Sequence, residues 1–378
     1  MTSSPNSNSS SENTALRAAF RAVKKYGEPC RRILDEFELT DHSCKPFADD
    51  VYLNLPLTRF PDSGEQRDIL NRLVRHLTLP DASVYSIDSN PNFVSSFEFI
   101  ENVSFKAQKK ALTVSDILGY SPAYEIIGDI ALIDDKNAES AADEEVLKAA
   151  NAILKAHPAV QTVLLSVGPI SGEFRTRPLK YIAGVEKTTT VHKEYGCKYN
   201  VDLARAYFTP RLSTERRRIL LQIKDGETVV DMFAGVGPYS IMIAKNASPS
   251  RIIANDKNEA AAELLLQNAT LNKVSNIKVL NKDAADLAKE YEGVGDHVIM
   301  NLPHNAYDFL DTAVSICCKN GIIHYYAMTS EEDLFDGSVE LIRAAAEKQG
   351  RSIDVLEMKN VRSYAPHQYN ICLDVRIL

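Results

Sequence analysis

From Thr228 onward the chain alternates strand, glycine loop, helix and strand, and this restricts the fold more than any other feature. Thr228 to Met232 has the pattern of an apolar strand. Phe233-Ala234-Gly235-Val236-Gly237-Pro238 is loop-like, and Tyr239 to Lys245 opens a helix. Strand patterns recur at Arg251 to Asn255, Ile277 to Leu280 and His297 to Met300, with a helix predicted over Glu259 to Leu271. Alternation at this spacing predicts an α/β unit, a parallel sheet covered by helices. Ligands of such sheets bind beyond the carboxyl ends of the strands, where the strand order reverses.

Gly235 and Gly237 occupy the first strand-to-helix turn. A G-x-G pair alone is equally a structural tight turn, but three carboxylates at strand ends add chemistry to it. Asp231 lies in the first strand. Asp256 ends the second, nineteen residues after Gly237, close to the ~20 expected of a carboxylate that binds ribose hydroxyls. Asp283 follows the third, where it would accept from an adenine amino group. Each aspartate taken singly is also an ordinary surface residue. The third glycine of a dinucleotide fingerprint is Ser240 here. The loop therefore fits S-adenosylmethionine better than a nicotinamide dinucleotide, because no pyrophosphate has to be cradled; Phe233 is counted with this donor-binding set. Asn301-Leu302-Pro303 ends the fourth strand, and the proline is expected to leave backbone carbonyls without ladder partners, directed into the cleft.

The remaining residues bound the architecture. At 378 residues the chain has room for two or three domains. A hydrophobic fraction of 44% without any apolar run of ~18 residues excludes a wholly disordered or membrane-embedded chain. Six cysteines without a C-x-x-C pair indicate reduced thiols and a cytoplasmic location. Residues 1–14, rich in Ser and Asn, are expected to be a disordered tail. Leu16, Phe20 and Val23 share a helical face, and Ile33, Leu34 and Phe37 continue a second helical pattern. Strands are expected at Val51 to Leu55 and Ser83 to Ile87, with a helix over Arg67 to Leu77, in an α+β first domain (15–120). A second small α+β domain (121–190) reads as one strand from Ile126 to Ile133 interrupted at Gly128, a helix over Ala141 to Ala156, and a strand over Thr162 to Val167. Although the net charge is -8, Ile170 to Leu220 carries eleven Lys and Arg against five acids. Such a segment is either a solvated face or a set of phosphate contacts.

Five stretches carry a resemblance: Gly172-Glu173-Phe174-Arg175-Thr176-Arg177, Tyr207-Phe208-Thr209-Pro210-Arg211-Leu212-Ser213-Thr214-Glu215-Arg216, Asp231 to Pro238, Asn301-Leu302-Pro303 and Ser363-Tyr364-Ala365-Pro366. Together they resemble the archaeal and eukaryotic tRNA (guanine-N1)-methyltransferases that act on position 37. The likeness is dense from about Ile126 to the C-terminus and looser before Tyr120, where Lys24-Lys25-Tyr26-Gly27-Glu28 and Val51-Tyr52-Leu53 resemble the family's archaeal N-terminal domain. It implies a Rossmann-like class I methyltransferase sheet at the C-terminus (191–378), preceded by two small α+β RNA-binding domains. It further implies S-adenosylmethionine as donor and tRNA as partner, with the anticodon loop at the chemistry and the outer corner on the first domain. A monomer without membrane contact or metal is expected.

Guanine N1 carries a proton, so its methylation needs a base for that proton and a cation for the charge moving onto O6. By the matched motifs Glu215 would be the base and Arg175 would face O6. Asn301 would orient the guanine edge, Tyr207 would pack near the base, and Arg211, Pro303 and Tyr364 would border the same cleft, with Pro366 beside them. Arg211, Arg216, Arg217 and Arg218 are expected to lower the Glu215 pKa while burial raises it; an ordinary ion-pair role for Glu215, and a core role for Tyr207, stay open from the residues alone. Lys24, Lys25, Arg31, Arg32, Lys106, Lys109 and Lys110 are basic candidates for tRNA contact that also read as ordinary surface residues. Three alternatives remain: the wybutosine-pathway aminocarboxypropyl transferase, methylation of a tricyclic position-37 intermediate, and a noncatalytic tRNA-binding protein. A 5-methylcytosine enzyme would need a cysteine in the cleft, whereas Cys317 and Cys318 read as core residues on an apolar helix.

Overall fold

The structure, a computed structural model, describes residues 14–77, 96–107, 112–134, 144–167 and 178–378, without the side chains of 75–77. The chain divides into two compact units, Met1–Ala111 and Leu112–Leu378, so the break falls ahead of the boundary expected near residue 120. No described helix is long and apolar enough to cross a membrane.

The first unit is a four-stranded antiparallel sheet in the order β2-β3-β1-β4, formed by β1 (Thr14–Val23), β2 (Phe47–Ala48), β3 (Tyr52–Leu57) and β4 (Phe97–Lys106). Helices Gly27–Glu36 and Ser63–Leu77 bury Ile33, Leu34, Ile69 and Leu73 against Phe20, Leu55 and Leu57 of the sheet. The helical face expected from Leu16, Phe20 and Val23 is instead strand β1, which also takes in Thr14 from the expected tail. This strand has ladder partners on both edges, such as Ala18↔Leu57 and Ala22↔Phe97, and that tertiary pairing overrides local periodicity. Arg31 and Arg32 are exposed on the first helix, while the strand expected at 83–87 and the lysines at 109 and 110 lie outside the described residues.

The second unit opens with a small sheet in the order β5-β6-β7-β8: β5 (Tyr124–Ile127), β6 (Ile130–Ile133), β7 (Thr162–Ser166) and β8 (Leu179–Gly184). Helix Glu144–Ala156 packs on it. The single interrupted strand expected over 126–133 is a hairpin, Ile127 pairing with Ile130 across the two-residue turn Gly128-Asp129. Gly128 has φ +58°, and a Cβ there would lie 2.1 Å from Thr190 Oγ1, so both the turn and the close approach of the next hairpin require glycine. That hairpin is β9 (Thr189–Glu194) with β10 (Cys197–Asp202).

The remainder is a seven-stranded sheet in the order β13-β12-β11-β14-β15-β17-β16. Its members are β11 (Thr228–Asp231), β12 (Arg251–Asn255), β13 (Ile277–Leu280), β14 (Gly295–Met300), β15 (Cys317–Ser330), β16 (Ile353–Ala365) and β17 (Gln368–Ile377). The pairings among β11 to β15 are parallel, and β17 runs antiparallel to both β15 and β16. Helices Ser213–Leu220, Pro238–Asn246 and Glu259–Asn272 share one core, and Leu310–Ile316 and Asp336–Glu347 share a second. Cys317 and Cys318 are not helical as expected: the helix stops at Ile316 and both cysteines begin β15.

Candidate active site

β11 lies between β12 and β14, so the strand order reverses there and a crevice opens above the turns that follow β11 and β14. Asp231, the last residue of β11, is fully buried. Its Oδ2 accepts from Ser240 Oγ at 2.7 Å, so the serine in place of a third glycine serves to hold this carboxyl. Asp231 Oδ1 has no partner, and burial pushes the carboxyl up to about 7. Gly235 has φ +56°, and a Cβ on it would meet only the Tyr207 carbonyl oxygen, 3.8 Å away, so the loop presents an open backbone face beside Tyr207. Gly237 has φ +88°, and a Cβ there would fall 2.1 Å from Leu265 Cδ1. Asp256 follows β12 directly; its Oδ2 accepts the Gly235 amide at 2.7 Å and its Oδ1 the Asn258 amide at 2.9 Å. Phe233 packs edge-on against Phe309. Asp283 sits after β13, bonded to the Ala285 amide and to Lys257 Nζ at 2.9 Å, and these bonds hold its carboxyl below the usual range.

The turn after β14 differs from expectation. The carbonyls of Met300, Leu302 and Pro303 accept from the amides of Leu302, Asn305 and Met328, so they are not the free acceptors that the proline suggested. The proline does end the strand, but the backbone folds into a tight turn that docks on β15. The acceptors left over are both on Asn301: its side-chain Oδ1 is shielded and makes no hydrogen bond, and its backbone carbonyl takes no donor among the described residues, so the expectation holds at this one carbonyl. Tyr364, half exposed, stacks edge-on with His304 at 5.9 Å, which brings the Ser363–Pro366 stretch beside this turn.

Glu215 is 4% exposed on the first turn of helix Ser213–Leu220. Arg218 Nε reaches both of its oxygens, at 3.1 and 3.0 Å, and Nη2 adds a bond of 2.7 Å to Oε1. Tyr326 OH of β15 donates to Oε1 at 2.8 Å, and Tyr239 OH donates to Tyr326 OH at 3.0 Å. Tyr239 stands in the helix that Gly237 opens, so two hydroxyls connect Glu215 to the glycine loop. Of the four arginines expected around Glu215, only Arg218 bonds to it. Arg211 pairs with Glu125 at 3.1 Å, Arg217 lies over the Tyr195 ring, and Arg216 is buried in a two-pronged pair with Glu194 at 2.8 and 2.5 Å. Residues one and two positions apart on a helix do not face each other, whereas residues three apart do, so within Ser213–Leu220 Arg218 meets Glu215 and Arg216 and Arg217 do not, and Arg211 precedes the helix. Arg175 lies outside the described residues.

Residues 190–356 match the TRM5/TYW2 methyltransferase domain, 110–188 the TYW2 N-terminal domain and 21–65 the tRNA methyltransferase 5 N-terminal domain. The tRNA (guanine(37)-N(1))-methyltransferase Trm5b of Pyrococcus abyssi is 35% identical over 96% of this chain and 99% of its own length. The chain belongs to the TRM5/TYW2 methyltransferase family. Among solved structures, the complex of aTrm5 with tRNALeu has 32% identity and a TM-score of 0.62, covering 95% of this chain and 99% of that one. The Methanocaldococcus jannaschii TYW2 bound to AdoMet has 28% identity and a TM-score of 0.54, covering 68% of this chain and 99% of that one.

Arg218 was among the four arginines expected around Glu215; Tyr239, Tyr326, and Asp374 with His324 behind it were not anticipated. One signal was present: His324 and Tyr326, and Cys372 and Asp374, are pairs two apart in the buried middles of β15 and β17, a spacing that puts each pair on one sheet face.

Proposed function

We propose that this protein transfers the methyl group of S-adenosylmethionine to N1 of guanosine 37 in tRNA. The supporting observation is the likeness to Trm5b over nearly the whole chain, joined to a site in which a buried carboxylate is held two hydroxyls from the glycine loop. S-adenosylmethionine supplies an electrophilic methyl group. The orphaned Asp231 Oδ1 and the open backbone at Gly235 suit a polar ligand seated on that loop; we assign its ribose to Asp256 and its adenine to Asp283, with Phe233 beside them.

The chain's own residues then have three tasks. Glu215 accepts the N1 proton; Oε2 takes one bond from Arg218 Nε, and its second lone pair is the one assigned to the substrate. Arg175 stabilises charge on O6. Asn301 Oδ1 accepts from the guanine amino edge, with Tyr207, Pro303 and Tyr364 walling the cleft. A base stacked in the anticodon loop has to turn outward to reach a carboxylate this deep. The anticodon loop occupies this cleft, with Arg211 at its border, and the first unit contacts the outer corner of the tRNA by way of its own basic residues; the protein acts as a cytoplasmic monomer.

Incubation with labelled S-adenosylmethionine and unmodified tRNA transcripts, followed by nucleoside mass spectrometry, tests the reading. 1-Methylguanosine is expected. An aminocarboxypropyl adduct, methylation confined to a tricyclic precursor, or no product overturns it. Asp256→Ala is expected to raise the donor's Kd by roughly tenfold or more, the loss of a bond to a charged acceptor; titration calorimetry that returned the parental Kd would refute the ribose role. Arg175→Ala is expected to cut single-turnover methyl transfer while leaving that Kd in place, and a parental rate would remove Arg175 from the O6 position.

A further inference from the structure

Behind Glu215 runs a line of buried ionisable groups that crosses three strands. Arg218 bonds Asp374 through Nη1 at 2.5 Å and Nη2 at 3.2 Å. Asp374 Oδ1 meets His324 Nδ1 at 2.7 Å, His324 Nε2 meets His297 Nδ1 at 2.9 Å, and His297 Nε2 meets Glu227 Oε2 at 3.1 Å. His324, His297 and Asp374 are each at most 2% exposed.

Counting protons decides the charge of this line. Both ends are carboxyl oxygens that accept: Glu227 Oε2 also takes the Lys224 amide. Burial alone would raise the Asp374 carboxyl, yet the bonds and charges of His324 and Arg218 hold it far below its usual range. A hydrogen is then needed at each end and one more between the rings, which is three protons on four ring nitrogens. Two neutral imidazoles carry only two. Burial pushes His297 down to about 3, and His324 makes the shorter contact to the more deeply buried carboxylate, 2.7 Å to Asp374 against 3.1 Å from His297 to Glu227, so the extra proton is assigned to His324.

We propose that His324, held as a buried imidazolium by His297 and Asp374, is a positioning residue for Glu215. It neutralises Asp374 from one side and so leaves Arg218 divided between Asp374 and Glu215. Charges alternate along the line, with Glu215 negative, Arg218 positive, Asp374 negative and His324 positive, so each charge faces an opposite one. The groups facing this line are His297 from β14, Cys372 and Asp374 from β17, Arg218 and Gln222 from the helix and its following turn, Lys224 and Glu227 beyond them, and Glu357 from β16, bonded to Arg218. The inference rests on Glu215 being the base.

The charge itself is tested on the wild-type full chain by 15N NMR of its histidine side chains at pH 8, above the ordinary histidine range of ~6.5, with His324→Gln and His297→Gln for assignment. One doubly protonated ring, lost in His324→Gln, is expected. Two neutral rings would overturn the proposal. The positioning role is tested by the pH profile of single-turnover methyl transfer in His324→Gln, which keeps a donor to Asp374 but not the charge. Without that charge the alternation loses its end and Asp374 competes harder for Arg218, so the acid limb should move to higher pH, with tRNA KM unchanged. A uniform fall in rate at every pH, or an unmoved limb, would sink it. If Glu215→Gln methylates at the parental rate, the base assignment has failed, and the NMR result still reports on the imidazolium.

Discussion

Glu215→Gln should reduce the single-turnover rate of methyl transfer by roughly 10²–10⁴-fold, the usual contribution of a positioned general base, while donor binding stays near its parental value. The two effects separate because Glu215 has no hydrogen bond to the glycine loop itself: the nearest link runs through Tyr326 and Tyr239. Glutamine preserves an acceptor for Tyr326 and the volume of the buried side chain, and Arg218 keeps its bonds to Asp374. The measurement is rapid-quench transfer with enzyme in excess over tRNA, alongside donor titration. Parental chemistry would eliminate the assignment, and an equal loss of donor affinity would recast Glu215 as a support for the loop.

The adjacent residue should behave in the opposite way. Arg216→Ala is expected to destabilise the fold by about 3–5 kcal/mol, because it strands a carboxylate away from water. Arg216 is 2% exposed and Glu194 7%. Burial would raise the Glu194 carboxyl, and the bonds from Arg216 and His192 reverse that and hold it below the usual range. Arg216 also reaches the Thr209 carbonyl at 3.3 Å, so its loss leaves a second acceptor short of a partner. Urea unfolding of the full chain checks this. The pair Glu194→Leu with Arg216→Met should recover most of the loss, since replacing both charges by apolar groups removes the desolvation cost along with the attraction. If Arg216→Ala alone unfolds at the parental midpoint, the buried pair contributes nothing of the size argued.

Local pattern was most informative where an element's neighbours in space are also set by sequence order. The alternation after Thr228 carries its own periodicity, so β11 to β14 and the two helices between β11 and β13 appear within a residue or two of expectation, while the short helix Ala288–Tyr291 before β14 was not anticipated. Two hairpin-type features were misread for a common reason. At 16–23 the apolar spacing suits a helix as well as a strand flanked on both sides, and at 126–133 a single glycine reads as an interruption until Thr190 from a later strand fixes the turn. The Asn301-Leu302-Pro303 turn lies where expected, but of its carbonyls only that of Asn301 is left over, beside the Asn301 side-chain Oδ1, because Met328 claims the Pro303 carbonyl from 25 residues further along.

What the amino-acid order determined by itself is the α/β class of the C-terminal part, the place of the glycine loop and the carboxylates at the ends of its strands, all encoded within short windows by periodicity and by turn chemistry. Helix spacing pairs Arg218 with Glu215, and only the tertiary structure decided what else holds the two. The partners lie 3, 111 and 156 positions apart along the network, at Arg218, at Tyr326, and from Arg218 on to Asp374. Charges act through distance in space and through burial, and neither is a property of spacing along a chain.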